Sequence, residues 1–159
     1  MSRQTTPAAI RAAVLAAATA AAERDPARFA EAAAALAALE PAQLSIVQAG
    51  VIRQLLEVVH PDGVDSTDAR QLLADTSRAG AAWWPHTAPD AVLVVLLTSL
   101  GVAEAETPWL GAQAPRVGAL AAHASLLIAE LAGRQAEPLA GFVDRALGEI
   151  QRAETMEMP

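Results

Sequence analysis

The stretch at residues 90–100, DAVLVVLLTSL, is apolar on every side, whereas the other long segments of the chain are apolar on one face only. No charged residue occurs between Ala91 and Ala103. An element at the surface would carry a polar stripe at helical or strand spacing, and this stretch has none. The stretch is therefore predicted to lie at the centre of the core.

A run of branched apolar residues fits either a buried strand or a buried helix. A strand would need a partner for its backbone hydrogen bonds, and the chain contains no second β-like run. Thr87, Pro89 and Asp90 are typical of a helix start, with a capping hydroxyl, a first-turn proline and a carboxylate at the positive end of the dipole. Gly101 is typical of a left-handed helix stop. We predict a buried central helix over residues 88–100.

Prolines mark the starts of most other helices, because proline is favoured in the first turn and excluded from the interior. The predicted helices begin near Pro7, Pro26, Pro41, Ser66, Ala88, Pro115 and Pro138, and a short helical turn is predicted at Thr107–Leu110. The helix from Pro41 has the clearest amphipathic stripe in the N-terminal half. The sequence thus predicts an all-α, single-domain bundle of six or seven helices over residues 1–154, with a frayed tail at 155–159.

Composition limits the chemistry and the compartment. The chain has no cysteine, which removes disulfides, thiolate metal sites and cysteine nucleophiles. Its alanine-rich N-terminus lacks the leucine-dense core of a signal peptide, and the 88–100 helix would span only about 20 Å of the roughly 30 Å that a membrane requires. We therefore expect a cytoplasmic protein that does not cross a membrane.

The charge pattern argues against nucleic acid as a partner. The formal net charge is −7, and all basic side chains apart from histidine are arginines that stand singly along the chain. A protein that binds the phosphate backbone normally concentrates its basic residues on one surface. We expect no nucleic-acid partner.

No catalytic or metal motif is apparent. The chain has no Gly-x-Ser-x-Gly elbow and no glycine-rich phosphate loop. His86 and Asp90 are four residues apart, and His60 precedes several aspartates, but neither spacing matches a strong metal motif. His123 is expected at the edge of its helix, between Arg116 and Glu130. We therefore predict a protein that is not an enzyme and has no cofactor or metal.

The tryptophans are the most distinctive candidates for a site. Trp83 and Trp84 precede the 88–100 helix and Trp109 follows it, in a chain with few aromatic residues. They could fill the ends of a core that is otherwise rich in alanine. Alternatively, they could line a hydrophobic ligand pocket in which His86 and Asp90 supply the polar groups.

Two functions from different classes follow. The first is a protein-interaction or regulatory module that binds itself, as a homo-oligomer, or another protein through alanine- and leucine-rich helix faces. The second is a sensor-like domain that binds a small hydrophobic ligand near the tryptophans. An exposed apolar face of several hundred Å² would favour the first, and an internal cavity would favour the second.

Overall fold

The computed structural model describes residues 5–102 and 117–157, and in these ranges the chain forms seven helices and no strand. The predicted all-α, single-domain helical bundle is confirmed. The helices are α1 (Pro7–Ala22), α2 (Pro26–Ala37), α3 (Pro41–Val59), α4 (Ser66–Ala81), α5 (Pro89–Ser99), α6 (Val117–Ala132) and α7 (Leu139–Glu157).

The first three helices begin as their sequences predict. The side chains of Thr6, Asp25 and Glu40 each accept a hydrogen bond from a backbone N–H group in the first turn that follows. A proline comes directly after each cap. Proline lacks the N–H group that would have no partner at this position, so the start of each helix is fixed locally.

Two other helices are not capped by the hydroxyl residue that the sequence favours. Ser66 is the first residue of α4, as predicted, but Asp65 and not Ser66 is its cap: the Asp65 carboxylate accepts from the Asp68 N–H at 2.7 Å, and Asp68 accepts from the Asp65 N–H in return. Thr87 does not cap α5: it lies one residue before the cap, and its hydroxyl donates to the carbonyl oxygen of Trp84 at 2.8 Å. Ala88 takes the capping position and offers no side-chain acceptor.

The end of α5 agrees with the prediction. Gly101 has a φ of +75°, a conformation that glycine adopts without a steric penalty. Its N–H donates to the carbonyl oxygen of Thr98, and the N–H of Val102 donates to that of Leu97. This pair of bonds is a Schellman motif, and it satisfies carbonyl groups that the helix leaves unpaired.

The helix at the centre of the bundle is α6, which corrects the central position predicted for residues 88–100. Every residue from Ala121 to Ile128 is buried, and α6 contacts α1, α2, α3, α4 and α5. In α5, Val92 and Leu96 are fully buried, but Leu93, Val94 and Leu97 are only partly buried. Small side chains explain why α6 is more deeply buried than α5, because the alanines and the serine of α6 let five neighbouring helices approach it closely.

The last helix packs against α1 and α3 through Phe142, Val143 and Ala146. It runs to Glu157, beyond the point at which the sequence places the frayed tail. The short turn predicted at Thr107–Leu110 lies outside the described residues. Among the helices that the structure describes, none has both the length and the apolar character needed to cross a membrane.

Candidate ligand-binding site

The aromatic cluster consists of Phe29, Trp83, Trp84 and His123, and it joins α2, the end of α4 and α6. Phe29 is fully buried between the two indoles, with ring centroids 5.1 Å from Trp83 and 4.9 Å from Trp84. Both pairs meet edge to face, which is a favourable geometry for aromatic rings. Two tryptophans that are neighbours in the sequence thus enclose a phenylalanine more than fifty residues away.

His123 is buried in this cluster, and the prediction that it lies at the edge of its helix is wrong. Its Nδ1 lies 2.6 Å from the carbonyl oxygen of Ala119, and its Nε2 lies 2.9 Å from the backbone nitrogen of Ala88. The carbonyl can only accept and the backbone N–H can only donate, so the ring carries one proton, on Nδ1. Burial lowers the pKa of His123 and favours the same neutral form.

The Trp83 cavity, of about 280 Å³, lies where α1, α4 and α6 end. Trp83 forms part of its wall, together with Thr76, Arg24, Glu130 and Arg134. Arg134 is already engaged, because it donates to Asp75 at 2.9 Å and to Glu130 at 3.0 Å. Helix carboxyl ends carry partial negative charge, and arginines complement that charge, so Arg24 and Arg134 have a structural explanation in this wall.

The predicted site residues are only partly brought together. Trp84 touches the exposed His86 ring, with centroids 5.7 Å apart, but neither residue belongs to the described lining of the Trp83 cavity. Asp90 is exposed in the first turn of α5. Trp109 lies outside the described residues. A ligand site made of these five residues therefore stays a prediction.

A second cavity, of about 260 Å³, lies between α2, α3, α5 and α6, and we call it the alanine-lined cavity. Most of its wall is apolar. Its described lining comprises Leu36, Ala37, Leu39, Pro41, Leu44, Ser45, Gln48, Ala49, Ile52, Val94, Val95, Thr98, Ser99, Gly118, Leu120, Ala121 and Ala124. None of these side chains is ionisable, so the wall is suited to holding an uncharged molecule and not to acid–base chemistry.

Two buried polar side chains interrupt this apolar wall. Gln48 donates from Nε2 to the carbonyl oxygen of Ala121 at 3.1 Å, which ties α3 to α6. Ser99 donates from Oγ to the carbonyl oxygen of Val95 at 2.8 Å, within α5. Both side chains are almost fully buried. They are the groups that can orient a bound molecule, in the way that a few polar atoms do in most small-molecule sites.

This cavity was not predicted, although the sequence contains two signals of it. Gln48 interrupts the apolar stripe of α3, next to Val47. Small residues also recur on α3 and α6, at Ser45, Ala49 and Ala121 among others. Neither signal is specific by itself, because only packing shows that the small residues of separate helices face the same space.

Comparison with protein-family models, with curated proteins and with solved structures found no match to this chain. Within residues 5–102 and 117–157, no three histidine, aspartate or glutamate side chains lie close enough together to hold a metal ion. The candidate site therefore depends on geometry alone.

Proposed function

We propose that this protein is a non-enzymatic helical domain that binds a small, neutral, mainly apolar molecule in the alanine-lined cavity. The observation that carries the proposal is the cavity itself, about 260 Å³ of space between α2, α3, α5 and α6 that is partly open to solvent and has a mainly apolar wall. A space of this size with an apolar wall is a favourable place for a ligand.

The volume limits the size of the ligand. A dry apolar cavity of about 150 Å³ holds benzene, and drug-sized ligands occupy pockets of roughly 300 Å³ or more. A cavity of about 260 Å³ falls between these values. The ligand would thus be a single-ring or short-chain molecule. It would be uncharged, because a charge buried without a partner costs several kcal/mol.

Binding is tested with toluene as a probe, by titration of backbone amide chemical shifts and by thermal unfolding. A ligand that binds only the folded state raises the melting temperature. We expect shifts at Val95, Ala121 and Ala124, which line the cavity. The variant Ala124→Leu should place its side chain in the void and abolish binding.

The matched control is Ala34→Leu, which makes the same change at an exposed position of α2 that does not line the cavity. It should bind toluene as the wild type does. Equal toluene binding by Ala124→Leu, or no binding by the wild type, would contradict the proposal.

Self-association is the second candidate function. Exposed alanines along α2, such as Ala27, Ala30 and Ala34, support it, because small side chains let two helices approach closely. Large exposed apolar side chains are few in the described residues: Ile46, Val58, Val102 and Met156. Light scattering over a concentration series tests self-association, and a monomer at every concentration would remove it. A cytoplasmic location likewise stays a prediction, tested by cell fractionation.

A further inference from the structure

The two buried polar side chains in the wall of the alanine-lined cavity donate hydrogen bonds to backbone carbonyl groups of the protein. Gln48 directs an N–H of its amide to Ala121, and Ser99 directs its hydroxyl proton to Val95. The oxygen atoms of both side chains can therefore still accept a hydrogen bond from a ligand. What they can accept constrains the chemistry of a ligand that occupies the cavity.

The orientation of the Gln48 amide follows from its partner. The carbonyl oxygen of Ala121 can only accept, so the atom that faces it at 3.1 Å must be the amide nitrogen. The amide oxygen, Oε1, then lies on the other side of the group. Among the described residues, no donor is hydrogen-bonded to Oε1, and Gln48 belongs to the cavity wall.

Ser99 adds a second acceptor to the same wall. Its only proton points to Val95, at 2.8 Å, and this leaves the lone pairs of Oγ. Ser99 is on α5 and Gln48 is on α3, and both line the cavity. The remaining polar members of the lining, Ser45 and Thr98, are exposed, so water can satisfy them.

We infer that the ligand of the alanine-lined cavity is a neutral molecule that carries a hydroxyl group on an apolar ring or short chain, and that this hydroxyl donates its one proton to Gln48 Oε1, with Ser99 Oγ as a second acceptor in the same wall. This inference rests on the proposed function, because it assumes that the cavity takes a ligand. A hydrocarbon would fill the same volume but would displace water from Gln48 Oε1 without offering it a hydrogen-bond donor. A buried acceptor without a partner is unfavourable, and Gln48 is thus a specificity-determining residue.

The test compares phenol with toluene, which have nearly the same shape and differ in a hydroxyl in place of a methyl group. Both dissociation constants are measured by amide chemical-shift titration on the full chain and on two variants. Gln48→Met keeps the length of the side chain and removes Oε1, and Ser99→Ala removes Oγ. The quantity compared is the dissociation constant of toluene divided by that of phenol.

We expect this ratio to fall roughly 3- to 10-fold in Gln48→Met, the size of one net hydrogen bond, while toluene still binds. Ser99→Ala should lower the ratio in the same direction, and it provides the test if Gln48→Met does not fold. An unchanged ratio in the folded variants overturns the inference and leaves the proposed function standing. If neither probe binds the wild type, the proposed function fails and the inference fails with it.

Discussion

The aromatic cluster and the alanine-lined cavity lie on the same central helix, α6, and they use its residues differently. At the aromatic cluster, Phe29 and the two indoles pack around Ala122 and Leu126. At the cavity, Ala121 and Ala124 line about 260 Å³ of space together with Ser45 and Ala49. Both regions are mainly apolar. They differ in side-chain volume, because large rings fill the aromatic cluster and several small side chains line the cavity.

The comparison also explains why tryptophans alone do not identify a ligand site. Large aromatic side chains are common in ligand pockets, but in a core rich in alanine they are also the residues that fill space. Trp84 is engaged with Phe29, His86 and His123 through its ring. The alanine pair and the glycine pair below compare the aromatic cluster with the cavity side of the bundle, and the other two predictions concern the cluster itself.

The largest effect is expected for Phe29→Ala. This ring is fully buried and touches both indoles, so its removal leaves a void between α2 and the end of α4. The free energy of unfolding should fall by about 3–5 kcal/mol. Urea unfolding followed by circular dichroism measures the change. A loss below about 1 kcal/mol would show that the cluster is not tightly packed.

The second prediction compares Ala122→Leu with Ala124→Leu, two buried alanines on the same helix. Ala122 packs in the aromatic cluster, where extra methylene groups should cost about 1–3 kcal/mol. Ala124 lines the cavity, so its larger side chain should cost less than about 1 kcal/mol. The two urea midpoints are compared directly. Equal destabilisation would mean that the cavity is not available space.

The third prediction compares two glycines. A Cβ atom at Gly80 would lie 2.8 Å from Thr87 Oγ1 and 3.1 Å from a methyl group of Leu126, so Gly80→Ala should destabilise the end of α4 by about 1 kcal/mol or more. At Gly118, on the cavity side, the nearest atom among the described residues would be the Cβ of Ala37, 3.9 Å away. Gly118→Ala should then stabilise α6 by up to about 1 kcal/mol. Thermal unfolding of both variants measures the difference, and the opposite order would refute this account.

The smallest effect concerns pH and His123. Its pKa is lowered by burial, so the unfolded chain takes up a proton at higher pH than the folded protein does. The contribution of His123 to the free energy of unfolding is fully present above its pKa in the unfolded chain, near 6.5. It decreases as the pH falls from there towards the lower pKa of His123 in the folded protein. Protonation would also turn Nε2 into a donor and break its bond with the Ala88 N–H.

Urea midpoints at pH 7.5 and pH 5.5 test this, with His123→Gln as the comparison. Between these two pH values, the stability of His123→Gln should decrease less than that of the wild type. The stability of His86→Gln, at an exposed position, should decrease as much as that of the wild type. An equal decrease in the wild type and in His123→Gln would assign the pH dependence to other groups. Lowered carboxylate pKa values, such as that of Asp144 beside Arg11, act in a more acidic range.

The sequence predicted the helices well because helix starts and stops are local. Thr6, Asp25 and Glu40 form hydrogen bonds within a few residues of themselves, and Gly101 takes its positive φ without help from distant contacts. The exception is Thr87. Its hydroxyl donates to the carbonyl oxygen of Trp84 and does not accept from a backbone N–H of α5, and sequence spacing does not distinguish these two roles.

The sequence by itself thus determined the all-helical class and most helix boundaries, since these depend on proline, capping side chains and the period of apolar residues. Only the tertiary structure decided that α6 is the central helix, that His123 is buried and neutral, and that small residues on α3 and α6 face one cavity with Gln48 in its wall. The physical reason is that burial on all sides depends on how many neighbours a helix has. The hydrophobicity of one segment does not indicate how many helices will pack against it, or how closely its alanines let them approach.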